Sequence, residues 1–167
     1  ISCVIANNSS ESGSGLLGQF DIMNCTVISN TGSMVLNASG ADSGPSVIKN
    51  SIFYNNSATI IQNGTSLDPQ VTYSLVQGGY EGTGNIDLNP LFVDAANGDY
   101  RLSHYSPAIG SGTSLGAPTT DLDGNIRPNP EGSAPDMGAY ENPLSSQFPK
   151  AGAIADGLGP DIDWSNA

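Results

Sequence analysis

The chain has 167 residues, which indicates a single domain with a sizeable hydrophobic core. It carries 16 acidic and 4 basic residues, so its formal net charge is -12. Four cations cannot form a phosphate-binding face, which argues against nucleic-acid binding, and the acidity argues against docking on an anionic membrane. The 21 Gly and 11 Pro residues, with abundant Asn and Ser, argue against a helical bundle.

Four similar segments follow one another from the N-terminus: 1–8, 23–30, 49–56 and 72–79. Each has Cys or Ser at its third position, then an apolar run rich in β-branched residues, then paired Asn or Gly. The third positions are Cys3, Cys25, Ser51 and Ser74, which are 22, 26 and 23 residues apart. A repeat in the low twenties is typical of a solenoid, and the short runs bounded by turn formers predict strands.

Further apolar patches lie between these segments, at Leu16–Leu17, Met34–Leu36 and Ile60–Ile61. Two or three short strands in each repeat are what one coil of a parallel β-helix requires. The sequence therefore predicts an all-β protein, a right-handed parallel β-helix of about four coils over residues 1–88. A β-sandwich with irregular strands is the alternative, although it does not require a repeat of fixed phase.

Stacked coils predict columns of equivalent residues. Cys3, Cys25, Ser51 and Ser74 should lie in one inward column, and the Asn residues at the bends should adopt left-handed backbone and bond their neighbours. The two cysteines are then close enough for a disulfide. The alternative is a pair of stacked buried thiols, which we favour because side chains in a ladder run parallel to each other.

The segments NPLFVDAANGDYRLSHYSPAIGSG (89–112) and TDLDGNIRPNPEGSAPDMGAYE (120–141) add a more specific signal. With the repeats, they resemble secreted right-handed parallel β-helix proteins of bacterial cell surfaces. In that family such a segment marks the last coil. The resemblance covers about residues 1–143 and implies an irregular closing segment over 89–143, followed by an extended tail or linker over 144–167. It also implies an extracellular or cell-surface location.

Three side chains in the closing segment predict a metal site. Asp121, Asp123 and Asn125 place oxygen ligands at alternate positions of a glycine-containing loop, as at the start of a calcium loop. The EF-hand pattern is incomplete, because Gly132 stands where its final Glu would be. The sequence leaves open a structural Ca²⁺ ion, the one cofactor we expect, and turn capping by Asp and Asn.

The sequence shows no recognisable set of acid, base and nucleophile residues. His104 is the single histidine, and the four cations are dispersed, with Arg101 and Arg127 expected in structural salt bridges. β-Helix lyases require a base and a cation that neutralises the substrate carboxylate. We therefore expect no catalysis by this chain, and a fragment of a polysaccharide lyase or glycoside hydrolase is the alternative.

Exposed aromatic residues are candidates for contact with sugars, because flat rings stack on sugar rings. The weak carbohydrate-binding candidates are Tyr80, Tyr105 and Trp164. The chain starts at Ile1 without a signal peptide, which indicates a processed chain or a piece of a larger protein. We expect a non-catalytic extracellular end module, continuous with upstream coils, that contacts polysaccharide or cell-surface components and does not insert into membranes.

Overall fold

The computed structural model describes residues 2–9, 21–31, 45–57 and 68–144, and the backbone of 16–17 and 36–37. These residues contain no α-helix, and therefore no helix that is long and apolar enough to cross a membrane. The all-β prediction is confirmed. The strands are β1 (Cys3–Ala6), β2 (Leu16–Leu17), β3 (Asp21–Met23), β4 (Cys25–Ile28), β5 (Leu36–Asn37), β6 (Val47–Lys49), β7 (Ile52–Tyr54), β8 (Gln70–Thr72), β9 (Leu75–Val76), β10 (Phe92–Asp94) and β11 (Asp99–Leu102).

Strands from successive repeats pair in parallel. In the described part of the chain they form a four-stranded sheet, β1-β4-β7-β9, a three-stranded sheet, β3-β6-β8, and the pair β2-β5. The register aligns Cys3 with Cys25 and Ile52 with Leu75, which confirms the alignment of the four repeats. Parallel pairing throughout the repeats contradicts the antiparallel sandwich. The apolar patch at Ile60–Ile61 lies outside the described residues.

The chain bends twice in each repeat at equivalent positions. The bend before the four-stranded sheet has left-handed backbone at Asn24, Asn50 and Tyr73, with φ of 50°, 51° and 50°. The bend after this sheet repeats the conformation, and its left-handed residues are Asn7, Ser29 and Asn55. Asn tolerates this conformation better than most residues, which explains its recurrence and confirms the predicted role of Asn at the bends. Ser29 and Tyr73 adopt the same left-handed backbone, so the bend forms at this position of the repeat even without Asn.

A ladder of asparagine side chains runs beside the second bend. Asn30 Oδ1 accepts hydrogen bonds from the backbone N–H and the side-chain amide of Asn8, at 3.0 and 2.9 Å. Asn56 Oδ1 accepts the same two bonds from Asn30, both at 3.0 Å. Asn30 thus accepts from the preceding repeat and donates to the following one, so the ladder fixes the register of these three repeats.

The predicted column of small residues is also present. The hydroxyl of Ser51 accepts the N–H of Cys25 at 3.2 Å, and the hydroxyl of Ser74 accepts the N–H of Ser51 at 3.1 Å. Ser51 and Ser74 are fully buried. A hydroxyl at this position supplies an acceptor that the backbone of the neighbouring strand needs. The column ends at Asn85, whose Oδ1 accepts the N–H of Ser74 at 3.0 Å.

The four-stranded sheet is buried on both faces. One face packs into a core between the sheets, made by Ile22, Cys25, Val27, Ile48, Phe53, Val71 and Val76. The opposite face, including Ile52 and Leu75, packs against the C-terminal segment through Leu102, Ala108, Ile109 and Met137. Burial of each such side chain contributes about 1.5–3 kcal/mol. Neighbouring residues of one strand therefore enter different cores.

The C-terminal segment crosses the repeats instead of lying only after the last one, which differs from the expected closing role. Its Gly138 N–H donates to the carbonyl of Asn50 at 2.8 Å, and its Ala139 N–H donates to the hydroxyl of Thr26 at 3.1 Å. Even the first repeat is reached, because the amide of Asn7 donates to the hydroxyl of Tyr100 at 3.0 Å. The segment takes this path because the sheet face that bears Ile52 is apolar and has to be covered by apolar side chains.

Asn50 ties the repeats to this segment, and its removal tests the arrangement. Its buried amide donates to the carbonyl of Thr113 at 2.8 Å and accepts the N–H of Thr113 at 2.8 Å. We expect Asn50→Ala to lower the free energy of unfolding by about 3 kcal/mol, because buried partners lose their hydrogen bonds. Asn55→Ala is the matched control, since Asn55 has the same left-handed backbone but is exposed. Equal losses in urea denaturation would contradict the assignment.

Candidate functional site

A buried ion pair lies at the centre of the closing segment. Nε of Arg127 is 3.0 Å from Oε2 of Glu141, and both side chains have no exposed surface. The two terminal nitrogens of Arg127 each contact the carbonyl of Gly138 at 3.3 Å. Glu141 Oε1 also accepts the N–H of Asn129 at 3.1 Å. The predicted structural role of Arg127 in a salt bridge is confirmed.

Asp136 is a second buried carboxyl group beside this pair. It accepts the N–H groups of Gly110 and Asn142, both at 2.7 Å, and so joins three parts of the closing segment. Burial, and then the charge of Glu141, raise the pKa of Asp136 to about 8. Burial also raises the pKa of Glu141, against the opposing effect of Arg127. The arrangement is a structural latch, which we define as Arg127, Asp136 and Glu141.

Asp121 organises the loop for which the sequence predicts calcium. Its Oδ1 accepts the N–H groups of Asp123 and Asn125 at 2.9 and 2.8 Å, and its Oδ2 accepts the Asn125 amide at 3.0 Å. Oδ2 also accepts the N–H of Glu141 at 2.9 Å, which attaches the loop to the latch. Despite the cost of burial, these bonds lower the pKa of Asp121. The contacts of Asp121 are those of the turn-capping alternative.

Metal-ligating side chains do not gather in the described residues. No group of three or more His, Cys, Asp or Glu that could hold a metal ion is found within those ranges. Asp123 and Asn125 are exposed. Any Ca²⁺ bound by Asp121 would have to replace N–H donors that already occupy both of its oxygens, so the calcium hypothesis depends on the chelation test described below.

An open cleft of about 380 Å³ lies on the same segment. Its lining residues are Asn97, Gly98, Asp99, Arg101, Asp123 and Tyr140. Arg101 forms an ion pair with Asp99 that includes a 2.7 Å bond between Nε and Oδ1, which confirms the expected salt bridge. This bond raises the pKa of Arg101 and lowers that of Asp99. Burial, followed by the charge of Asp123, raises the pKa of Tyr140. The cleft thus combines two carboxylates, one paired cation and a tyrosine.

Neither Tyr80 nor Tyr105, two of the three predicted sugar-binding aromatics, lines this cleft. Tyr80 packs against the core between the sheets, and its hydroxyl donates to the carbonyl of Pro69 at 2.9 Å, so its contacts are structural. Tyr105 is 78% exposed but does not line the cleft. Trp164 lies outside the described residues. The calcium candidate Asp123 does reach the cleft.

Sequence reasoning did not name Asn97 as a candidate site residue, and it included Tyr140 among the aromatic residues without selecting it for sugar contact. Folding also brings Glu141, 20 residues further along the chain, to Asp121. No local sequence pattern distinguishes Tyr140 from the other tyrosines, because its place in the cleft depends on contacts with residues 97–101.

No model of a protein family matches the chain, and the comparisons with curated proteins and with solved structures give no match either.

The latch predicts that the two arginines of the closing segment contribute very differently to the free energy of unfolding. Arg127→Met leaves the Glu141 charge buried without its partner, and we expect a loss of about 3–5 kcal/mol in the free energy of unfolding. Arg101→Met removes an exposed pair and should change stability little, because solvent screens it. Chemical denaturation of both variants measures the difference. Equal, small effects would show that the pair does not hold the segment in place.

A second pair of variants tests the role of Asp121 in its loop. Asp121→Asn replaces an oxygen that accepts N–H groups by an amide, so we expect a loss of about 2 kcal/mol. The exposed neighbour Asp123→Asn should have a much smaller effect.

With N–H donors on both Asp121 oxygens, we expect the melting temperature of the unmodified protein to stay constant in excess chelator. A fall that added Ca²⁺ reverses would instead establish the ion as a ligand of the folded state.

Proposed function

We propose that the chain is a non-catalytic end module of a larger secreted or cell-surface protein, built as a right-handed parallel β-helix. Three observations support this fold: parallel pairing of successive repeats, equivalent residues in columns, and bends at constant positions. Parallel strands joined by a crossover within one sheet are almost always right-handed. The resemblance of residues 1–143 to bacterial surface β-helix proteins supports the location.

The observation that carries the proposal is the way the closing segment is held. Its buried cation and its three buried carboxyl groups contact one another or the backbone, so they stabilise the segment on the sheet. Groups held this way are not available to move protons to or from a substrate. A segment that covers a sheet face and links several repeats acts as a scaffold.

The first strand of the four-stranded sheet supports continuity with upstream coils. β1 is the outer strand of its sheet in the described part of the chain, and its residues are half-buried, whereas those of β4 are fully buried. An outer strand presents a row of backbone groups to which another strand can bind. A preceding coil in the same register would cover the outer side of β1, just as β1 and β7 cover the two sides of β4.

The charges of the described residues favour neutral polysaccharide over acidic polysaccharide as a partner. Arg127 is buried, Arg101 is bound to Asp99, and Nζ of Lys49 contacts the carbonyl of Leu115 at 3.5 Å. A chain of net charge -12 repels uronic-acid polymers. The cleft beside Tyr140 is polar and open, which suits hydroxyl-rich neutral sugars. We assign the sugar contact to this cleft.

A glycoside hydrolase fragment is the second candidate, and one observation favours it. Asp99 and Asp123 line the same cleft, and glycoside hydrolysis uses two carboxyl groups on either side of the scissile bond. Asp99 is held by Arg101, which lowers its pKa and leaves it an anion that cannot donate a proton at neutral pH. Asp99 could then serve only as base or nucleophile, and Asp123 would have to donate the proton to the leaving group.

A screen of the chain on neutral and acidic polysaccharides separates these functions. We expect no turnover, and weak binding to neutral glycans that Tyr140→Ala reduces about 3–10-fold through loss of aromatic contact. Glu131→Ala, an exposed acid outside the cleft, is the matched control and should leave binding unchanged. Turnover that Asp123→Ala or Arg101→Ala abolishes in a folded protein would overturn the non-catalytic proposal. Binding that is stronger for acidic glycans would overturn the choice of partner.

A further inference from the structure

The two cysteines are closer than their position in the ladder requires. Cys3 and Cys25 are register partners on the neighbouring parallel strands β1 and β4. If their side chains had the same orientation, equivalent atoms would be separated by the distance between strands, about 4.8 Å. The two sulfur atoms are 3.1 Å apart. The side chains therefore converge, contrary to the expectation that they run parallel.

The rest of the column shows what this position does when no sulfur is present. Ser51 and Ser74 each donate their hydroxyl to the carbonyl two residues earlier, at 2.9 and 3.0 Å, and accept an N–H from the preceding repeat. Cys25 Sγ lies 3.3 Å from the carbonyl of Met23, so it keeps the first of these contacts. Cys3 differs, because its Sγ is directed to Cys25.

Access to the pair is asymmetric. Cys25 is buried, whereas Cys3 is half-buried on the outer strand of the sheet. With β1 as the outer strand, a small soluble oxidant can reach Cys3, and Cys25 lies immediately behind it. An accessible attacking thiol with a second thiol in contact is the arrangement that intramolecular thiol–disulfide exchange requires.

We propose that Cys3 and Cys25 are an oxidation site at which a disulfide bond joins β1 to β4. Residues in register on neighbouring strands have Cα atoms within the range that a disulfide spans. The bond would fix the outer strand, the least buried strand of the four-stranded sheet, to the strand behind it. The inference stands on the geometry of the pair and does not rest on the proposed function.

The oxidant is a low-molecular-weight disulfide, and oxidised glutathione serves as the example. The thiolate of Cys3 attacks one glutathione sulfur, which breaks the glutathione disulfide, releases one glutathione thiolate and forms a mixed disulfide. Cys25 then loses its proton and attacks the sulfur of Cys3, which expels the second glutathione thiolate. The two cysteines are oxidised, one glutathione disulfide is reduced, and the two thiol protons pass to the released glutathione.

The second step should depend on pH. Burial, followed by contact with the Cys3 thiol, raises the pKa of Cys25 to about 12 in the reduced protein, and only the thiolate attacks. Cys25 stays buried when Cys3 carries glutathione, so closure of the mixed disulfide should accelerate as the pH rises from 7 to 9.

The experiment equilibrates the full chain with excess oxidised glutathione, quenches with acid, and alkylates the remaining thiols in denaturant before measuring intact mass. We expect the unmodified chain to lose two hydrogen atoms and to carry neither glutathione nor alkyl groups. Cys25→Ser removes the resolving thiol, so it should retain one glutathione on Cys3. Cys3→Ser leaves only the buried thiol and should react much more slowly.

Thermal unfolding provides a readout that is independent of the chemistry. Closure of the loop between residues 3 and 25 should raise the melting temperature of the oxidised chain by about 5–10 °C, and a dithiol reductant should reverse the rise. Cys25→Ser should show no such effect of reductant, and its own melting temperature shows whether it is folded. Two alkylated cysteines, a retained glutathione on the unmodified chain, or a disulfide-linked dimer would each overturn the proposal.

Discussion

The four-stranded parallel sheet is buried on both faces, and the other features of the structure depend on this condition. Its strands are short and do not form a stable sheet by themselves, so they need apolar contacts on each side. The core between the sheets supplies one side through residues such as Val27 and Phe53. The closing segment supplies the other through Met137 and Leu102. The repeats and the closing segment therefore fold as one unit, although their sequences look unrelated.

Burial on two faces creates many buried polar groups, and the chain satisfies them in two ways. Along the repeats, Asn and Ser side chains bond the backbone of the next repeat, so a given position acts as donor on one side and acceptor on the other. In the closing segment, where there is no repeat, carboxyl groups have this role. Asp121, Asp136 and Glu141 accept backbone N–H groups, and Arg127 pairs with Glu141. Each buried group that lost its partner would cost about 1–3 kcal/mol.

This use of charge for structure bears on the proposed function. The described cations contact a carboxylate or a carbonyl, and the buried carboxyl groups are tied to the backbone. The open cleft beside Tyr140 is available to a ligand, and the loop that Asp121 organises brings Asp123 to the surface there. The cleft is thus a by-product of the way the closing segment is fastened, which fits a module whose main role is structural. The proposed disulfide acts at the outer strand, β1.

The sequence by itself determined the repeats. The spacing of Cys3, Cys25, Ser51 and Ser74 predicted their register, and the β-branched runs predicted the strands of the four-stranded sheet, because these signals are local and recur with one phase. It also indicated that Arg101 and Arg127 form salt bridges, although it did not identify Asp99 and Glu141 as their partners. Tertiary structure alone decided three features: the convergence of the two thiols, the path of the closing segment across the repeats, and the cleft at Tyr140. They depend on contacts between residues such as Thr26 and Ala139, 113 positions apart, which no periodic pattern encodes.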